Sequence, residues 1–166
     1  MCAPNCCGAR ARLTDGREVF PHRPDLARKP VWLCDACKGY VGCHRGGHVP
    51  LGIPATAPVR AARRGVHLAL DPIWETAWEH RAYLGAPRGA RRGIQKRARE
   101  RVYAYLADRL GITREECHAA MFDAARCEAA LAVLDGLTYG TVREWARAQE
   151  AAARAAGRPD AGRAAA

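Results

Sequence analysis

The sequence predicts an α+β protein, with an N-terminal four-cysteine zinc ribbon packed on a small helical bundle. Three observations predict it. Cysteines fall in two close groups, Cys2 with Cys6 and Cys7, then Cys34–Asp35–Ala36–Cys37. Short β-prone pieces separated by Gly and Pro fill the interval between them. From Val59 onward, apolar residues recur at helical spacing. Two thiolate pairs on tight turns are what a tetrahedral zinc site needs. Four thiolates leave no open coordination position, so such a site is structural. A ribbon of about 40 residues buries too little apolar surface to fold unaided, and the metal would supply much of its stability.

In the ribbon, Ala11–Leu13, Arg17–Phe20, Val31–Leu33 and Tyr40–Val41 read as strands. Asp15–Gly16 reads as the hairpin turn between the first two. Pro21, Pro24 and Pro30 mark a loop leading to the second cysteine pair. Gly8 and Gly39 follow the cysteine groups, where a positive φ turns backbone N–H groups toward sulfur. Residues 46–58, rich in Gly and Pro, read as an irregular linker.

The helical part starts with Val59, Val66, Leu70 and Ile73 on one face. Asp71 reads as an N-cap with Pro72 at the first helical position, which divides this stretch. One helix then ends near Leu70 and another runs from Pro72 to about Tyr83. A longer helix follows over residues 90–110, burying Ile94, Ala98, Val102, Tyr105, Leu106 and Leu110 and stopping at Gly111. Thr113 and Glu116 form a capping box for the next, and Asp123 caps one running to Leu134. Thr141 and Glu144 form another capping box before an Ala-rich helix anchored by Trp145. Trp32 is expected to pack the ribbon, and Trp74 and Trp78 to share one helical side. The organisation expected is a zinc ribbon at 1–50, a helical domain with a basic face at 51–135, a C-terminal helix at 136–157 and a disordered tail at 158–166.

Lys and Arg number 27 against 17 for Asp and Glu, a net charge of +10. That balance favours an anionic partner, with nucleic acid the commonest. Arg60, Arg63, Arg64 and His67 recur on one helical face. Arg88, Arg91, Arg92, Lys96, Arg97 and Arg99 crowd a second stretch before Glu100. Such density suits a phosphate backbone. No base-reading motif accompanies it, so sequence-specific readout is not expected. No apolar run approaches the length of a membrane span, and no apolar leader opens the sequence. The chain therefore reads as cytoplasmic, with reduced, metal-bound thiols rather than disulfides.

The zinc ligands read from these groups are Cys2, Cys7, Cys34 and Cys37, with Cys6 as the alternative to Cys7. One structural Zn2+ is the cofactor expected. A second group, Cys43, His44, His67, Asp71, Cys117 and His118, is competent for metal or proton chemistry. Each member also has a structural role open to it: a cap for Asp71, a buried imidazole for His118, packed thiols for Cys43 and Cys117.

The chain resembles a family of zinc-finger-containing domains of unknown function, known mainly from bacteriophages and prophages. The residues that carry the resemblance run in order: the N-terminal cysteines, Trp32–Cys37, Tyr40–His44, Pro50–Gly52, His67, Asp71–Trp74, Tyr83, Tyr105–Ala107, Leu110–Ile112, Glu116–His118, Met121–Asp123 and Cys127. They span residues 1–130. The resemblance implies a bound zinc and a phage or prophage origin, and brings no activity. This chain departs from the family opening, Cys-Pro-x-Cys-Gly, because Pro4 stands where the first cysteine would align with Cys7–Gly8. Cys2 must then close a wider turn.

The function expected is a phage-type accessory protein, in the host cytoplasm, that binds nucleic acid or a machine that handles it. The alternative is a protein-interaction module for a host enzyme such as RNA polymerase or a defence component. A metal-dependent nuclease or hydrolase on the second group is the weaker reading. No Gly-rich phosphate loop, Ser-His-Asp order or paired catalytic carboxylates support an enzyme, so no catalytic residue is assigned.

Overall fold

A computed structural model describes residues 3–157. Cys2 and the tail expected at 158–166 lie outside the described residues. The fold is α+β, a three-stranded antiparallel sheet with helices. Two compact units divide the chain. The first holds the described residues up to Val66 together with His118–Ala129, and the second holds His67–Cys117 and the described residues from Ala130 onward.

In the first unit, β1 (Arg12–Asp15), β2 (Pro30–Leu33) and β3 (Tyr40–Gly42) pair in the order β1-β2-β3. Leu13 lies opposite Trp32, and Trp32 opposite Val41. Ala11, Trp32 and Val41 form a small buried cluster, with Ala3 and Cys43 packed against it. The Trp32 indole donates to the His48 carbonyl at 2.7 Å, so its one polar atom is satisfied.

Arg17–Phe20 is not the second strand of a hairpin. Gly16–Val19 is a single helical turn, α1, and Asp15 caps it by accepting from the Arg17 N–H. The Asp-Gly pair starts a helix here because Gly16 sits against the Leu26 carbonyl, where a Cβ would come within 2.0 Å of the oxygen. β1 therefore finds its partner in β2, across the whole proline-marked loop.

The stretch 46–58 is likewise ordered rather than an irregular linker. Pro50 bridges to Cys43, and Ala55 exchanges both backbone bonds with Tyr40 at 3.0 and 3.1 Å. This return segment covers the free edge of β3. Gly52 lets it approach residue 120, where a Cβ would meet the Ala120 carbonyl at 2.4 Å. Ile53 also donates its N–H to that carbonyl.

Helix α2 spans Ala57–Glu75 and contains Pro72. Asp71–Pro72 does not break it, contrary to the capping pattern. Proline forfeits one i→i−4 bond, and here the loss falls in the last turn. That turn is closed by Thr76, whose N–H and hydroxyl both donate to the Pro72 carbonyl, at 3.1 and 2.7 Å. Asp71, inside the helix, accepts instead from the Trp74 indole at 3.0 Å. Beyond Glu75 the chain forms 3-10 turns at Ala77–Glu79, Arg81–Tyr83 and Arg88–Ala90 rather than a helix to Tyr83.

In the second unit, α3 (Arg91–Leu110) matches its expected span and ends at Gly111, which takes the left-handed φ of 64° that a C-cap requires. Ala98, Val102, Tyr105 and Leu106 are buried as its stripe predicts. The Thr113–Glu116 capping box does form, with the Thr113 N–H donating to the Glu116 carboxylate at 2.9 Å. It closes one turn only, because the backbone becomes extended by His118, where the first unit resumes, before a 3-10 turn at Ala119–Met121. Helix α4 (Ala124–Leu134) starts at Asp123, whose carboxylate accepts from the Arg126 N–H at 2.8 Å. Helix α5 (Tyr139–Ala155) starts at Thr138, three residues before the expected box, and the Thr138 hydroxyl accepts from the Thr141 N–H. α5 packs on α3 through Trp145 edge-on to Tyr105 and an Arg101–Glu150 ion pair.

Candidate functional site

The turn that opens the sheet positions the first two sulfurs. Asn5 bridges Arg10, the Cys6 N–H donates to the Ala9 carbonyl, and Gly8 takes a φ of 87°. The second turn, between β2 and β3, positions the other two. The Lys38 N–H donates to the Cys34 carbonyl, the Cys34 N–H donates to the Gly39 carbonyl, and the Gly39 N–H points at the Cys37 sulfur at 3.4 Å. Lys38, not Gly39, takes the positive φ, 58°. Gly39 is required for a different reason. A Cβ there would lie 3.1 Å from the Cys37 sulfur, 3.2 Å from the Cys6 sulfur and 3.0 Å from the Ala55 backbone.

The Sγ atoms of Cys6, Cys7, Cys34 and Cys37 lie within 4.8 Å of one another. Cys6 and Cys37 are 3.2 Å apart, and Cys7 and Cys34 are 3.8 Å apart. Four sulfurs about 2.3 Å from one tetrahedral zinc are separated by roughly 3.8 Å, so the cluster fits one such ion. Cys6 and Cys7 both stand in this cluster, and Cys2 lies outside the described residues. Among the described residues this is the one gathering of three or more potential metal ligands.

The electrostatics point the same way. Burial, with Cys37 and Cys34 close by, pushes the Cys6 thiol up to about 12. Hydrogen bonding with Cys37 and Cys34 raises Cys7 as well. Cys34 goes down to about 7, first because of the backbone N–H of Cys37 and despite burial. Crowded thiols resist ionising together, and a divalent cation among them removes that penalty. Around the knuckle, Arg12 on β1 donates to Asp35 at 2.7 and 3.1 Å and also pairs with Glu18 on α1. Hydrogen bonds from Arg12 and Thr14 hold the Glu18 carboxyl down at about 2. The knuckle is thereby tied to both neighbouring elements through one guanidinium.

Of the second group, Cys43, His44 and His118 belong to the first unit, and His67, Asp71 and Cys117 to the second. His67 and Asp71 do meet, Nδ1 to Oδ2 at 3.4 Å, one turn apart on α2. Cys43 packs on the Trp32 cluster, and burial raises its thiol. Cys117 is buried, and His118 is exposed rather than buried.

The basic residues divide by environment. Arg63 donates to the carbonyls of Phe122 and Ile53, each at 2.7 Å, and burial lowers its pKa. Arg60 donates to the Ala55 carbonyl at 2.6 Å and lies over the Tyr40 ring. Arg91 covers Trp78 at 4.4 Å, and Arg99 lies over Trp74 and Tyr103. Both tryptophans are half-buried. Arg64, Arg88, Arg92, Lys96 and Arg97 are exposed. Arg91 and Arg99 reach the surface with them.

The sheet, the two turns and the four facing sulfurs define a zinc-finger type of domain. A family model for a zinc-finger-containing domain matches residues 1–85, and the chain belongs to that family. The match stops short of residue 130, to which the motif resemblance extends. No curated protein and no solved structure matches the chain. No helix among the described residues is long and apolar enough to cross a membrane.

Proposed function

We propose that this zinc-finger-containing protein binds nucleic acid through the N-terminal half of α3, with the metal centre serving as a structural staple. One observation carries the reading. Arg88, Arg91, Arg92, Lys96 and Arg97 are all exposed, and the first acid that follows is Glu100. The first turn of α3 contains no acidic residue. Cations at the positive end of a helix repel both the helix dipole and one another. A phosphate backbone relieves that repulsion and releases counterions. Arg60 and Arg63, spent on backbone carbonyls, drop out of the contact set; Arg92 and Lys96 remain open to phosphate. A small accessory module of this kind suits the phage or prophage origin that the motif resemblance implies.

Salt dependence tests it. Affinity for a generic duplex, followed by fluorescence anisotropy, should fall steeply with added salt. Replacing Arg88, Arg92, Lys96 and Arg97 together by Ala should lower the slope of log K against log salt by roughly 3 to 4. The melting temperature should barely move, since all four side chains are exposed. Undetectable binding to DNA and RNA at low salt would sink the proposal and favour a protein partner.

A further inference from the structure

Beside the basic run of α3, the 3-10 turns of the second unit border an open cavity of about 570 Å³, within the size range of ligand pockets. Its walls are apolar and aromatic: Trp78, Tyr83, Leu84 and Ile94. Its cations are Arg88 and Arg91. The walls are held in place from behind. The Tyr83 hydroxyl bonds that of Tyr139 at 3.0 Å, and Arg101 reaches both hydroxyls, at 3.4 and 3.5 Å. Leu84, at the rim, is 78% exposed and leaves an apolar edge open to solvent.

We infer that this cavity receives one unpaired nucleotide of a single strand, the base against Trp78 and Tyr83 and its phosphate on Arg88 and Arg91. The inference rests on the nucleic-acid reading above and adds the form of nucleic acid. A paired base inside a duplex cannot enter a side pocket, whereas an unpaired base stacks on any aromatic face or guanidinium plane. The Arg91 guanidinium, already parked 4.4 Å from the Trp78 ring centre, offers such a plane as well as a charge. The one carboxylate in the lining, Glu79, suits an exocyclic base amine rather than a phosphate. The exposed cations Arg92 and Lys96 on α3 would carry the flanking phosphates.

The test uses the full chain and mixed-sequence oligonucleotides of about ten nucleotides, within the range that single-strand modules cover. Each is offered as single strand, in DNA and in RNA, and as duplex. The wild type should bind at least one single strand more tightly than the duplex, and binding should quench tryptophan fluorescence. Trp78→Ala should weaken single-strand binding about 5- to 100-fold and change duplex binding by less than about twofold. Trp78→Phe should keep most of the single-strand affinity. Arg88→Ala, at an exposed position, should reduce the single-strand salt slope by about one even if Trp78→Ala folds poorly. Equal losses on single strand and duplex in Trp78→Ala, an unchanged single-strand affinity in Trp78→Ala and Arg88→Ala, or a wild-type preference for duplex would overturn the inference while leaving the broader reading intact. No binding to any of these oligonucleotides would end both.

Discussion

Cys34→Ser is expected to unfold the ribbon while leaving the helices of the second unit assembled. Cys34 is fully buried, and its thiol is the one the fold draws down toward neutral pH. A serine hydroxyl in its place supplies neither the thiolate nor the softness that zinc takes from sulfur. Structural zinc contributes on the order of 10 kcal/mol of folding free energy in small modules. The apolar cluster of Ala11, Trp32 and Val41 is too small to replace it. Circular dichroism and zinc content together should show loss of the metal, loss of sheet signal and a surviving helical transition. Cys7→Ser and Cys6→Ser should behave the same way, because both sulfurs belong to the cluster. Cys43→Ser, at a half-buried thiol outside the four, should keep its metal.

Arg63→Ala should be the most damaging substitution among the basic residues, and the damage should be to stability rather than to binding. The guanidinium joins the return segment at Ile53 to the backbone of Phe122, whose side chain is fully buried. Truncation deletes two charge-assisted bonds and strands two carbonyls, a cost of about 3 kcal/mol. Arg63→Lys should recover only part of it, since a single ammonium lacks the planar fork that serves both acceptors at once. Arg64→Ala, one position on and exposed, should change stability by less than about 0.5 kcal/mol. Urea unfolding of the three variants gives the comparison. An Arg63→Ala protein as stable as the wild type but weak on nucleic acid would contradict this account.

That contrast shows what a sequence can carry. A helical wheel places Arg60, Arg63 and Arg64 on one charged face. Which of them meets a carbonyl depends on the return segment at Ile53 and Ala55, and that segment reads as a Gly/Pro linker. Helix α3 was legible because its periodicity is local and Gly111 ends it. The Asp123 cap was legible for the same reason. Asp15–Gly16 and Asp71–Pro72 misled because one dipeptide fits two structures. Gly16 answers to the Leu26 carbonyl, and Asp71 to the Trp74 indole, and neither partner shows in the local pattern. At the metal site, the second pair was plain from its spacing. The first was not. Two adjacent cysteines can both face one ion only if the turn around them is tight, and that turn is set by the Asn5–Arg10 bridge.

The central claim is a single zinc held by Cys6, Cys7, Cys34 and Cys37, and X-ray absorption at the zinc edge tests it most directly. The full chain should contain one zinc with four sulfur neighbours at about 2.3 Å. Cys2→Ser should give the same spectrum, and Cys6→Ser should lose the four-sulfur shell. A folded, metal-free ribbon, or a four-sulfur shell kept by Cys6→Ser and lost in Cys2→Ser, would contradict it.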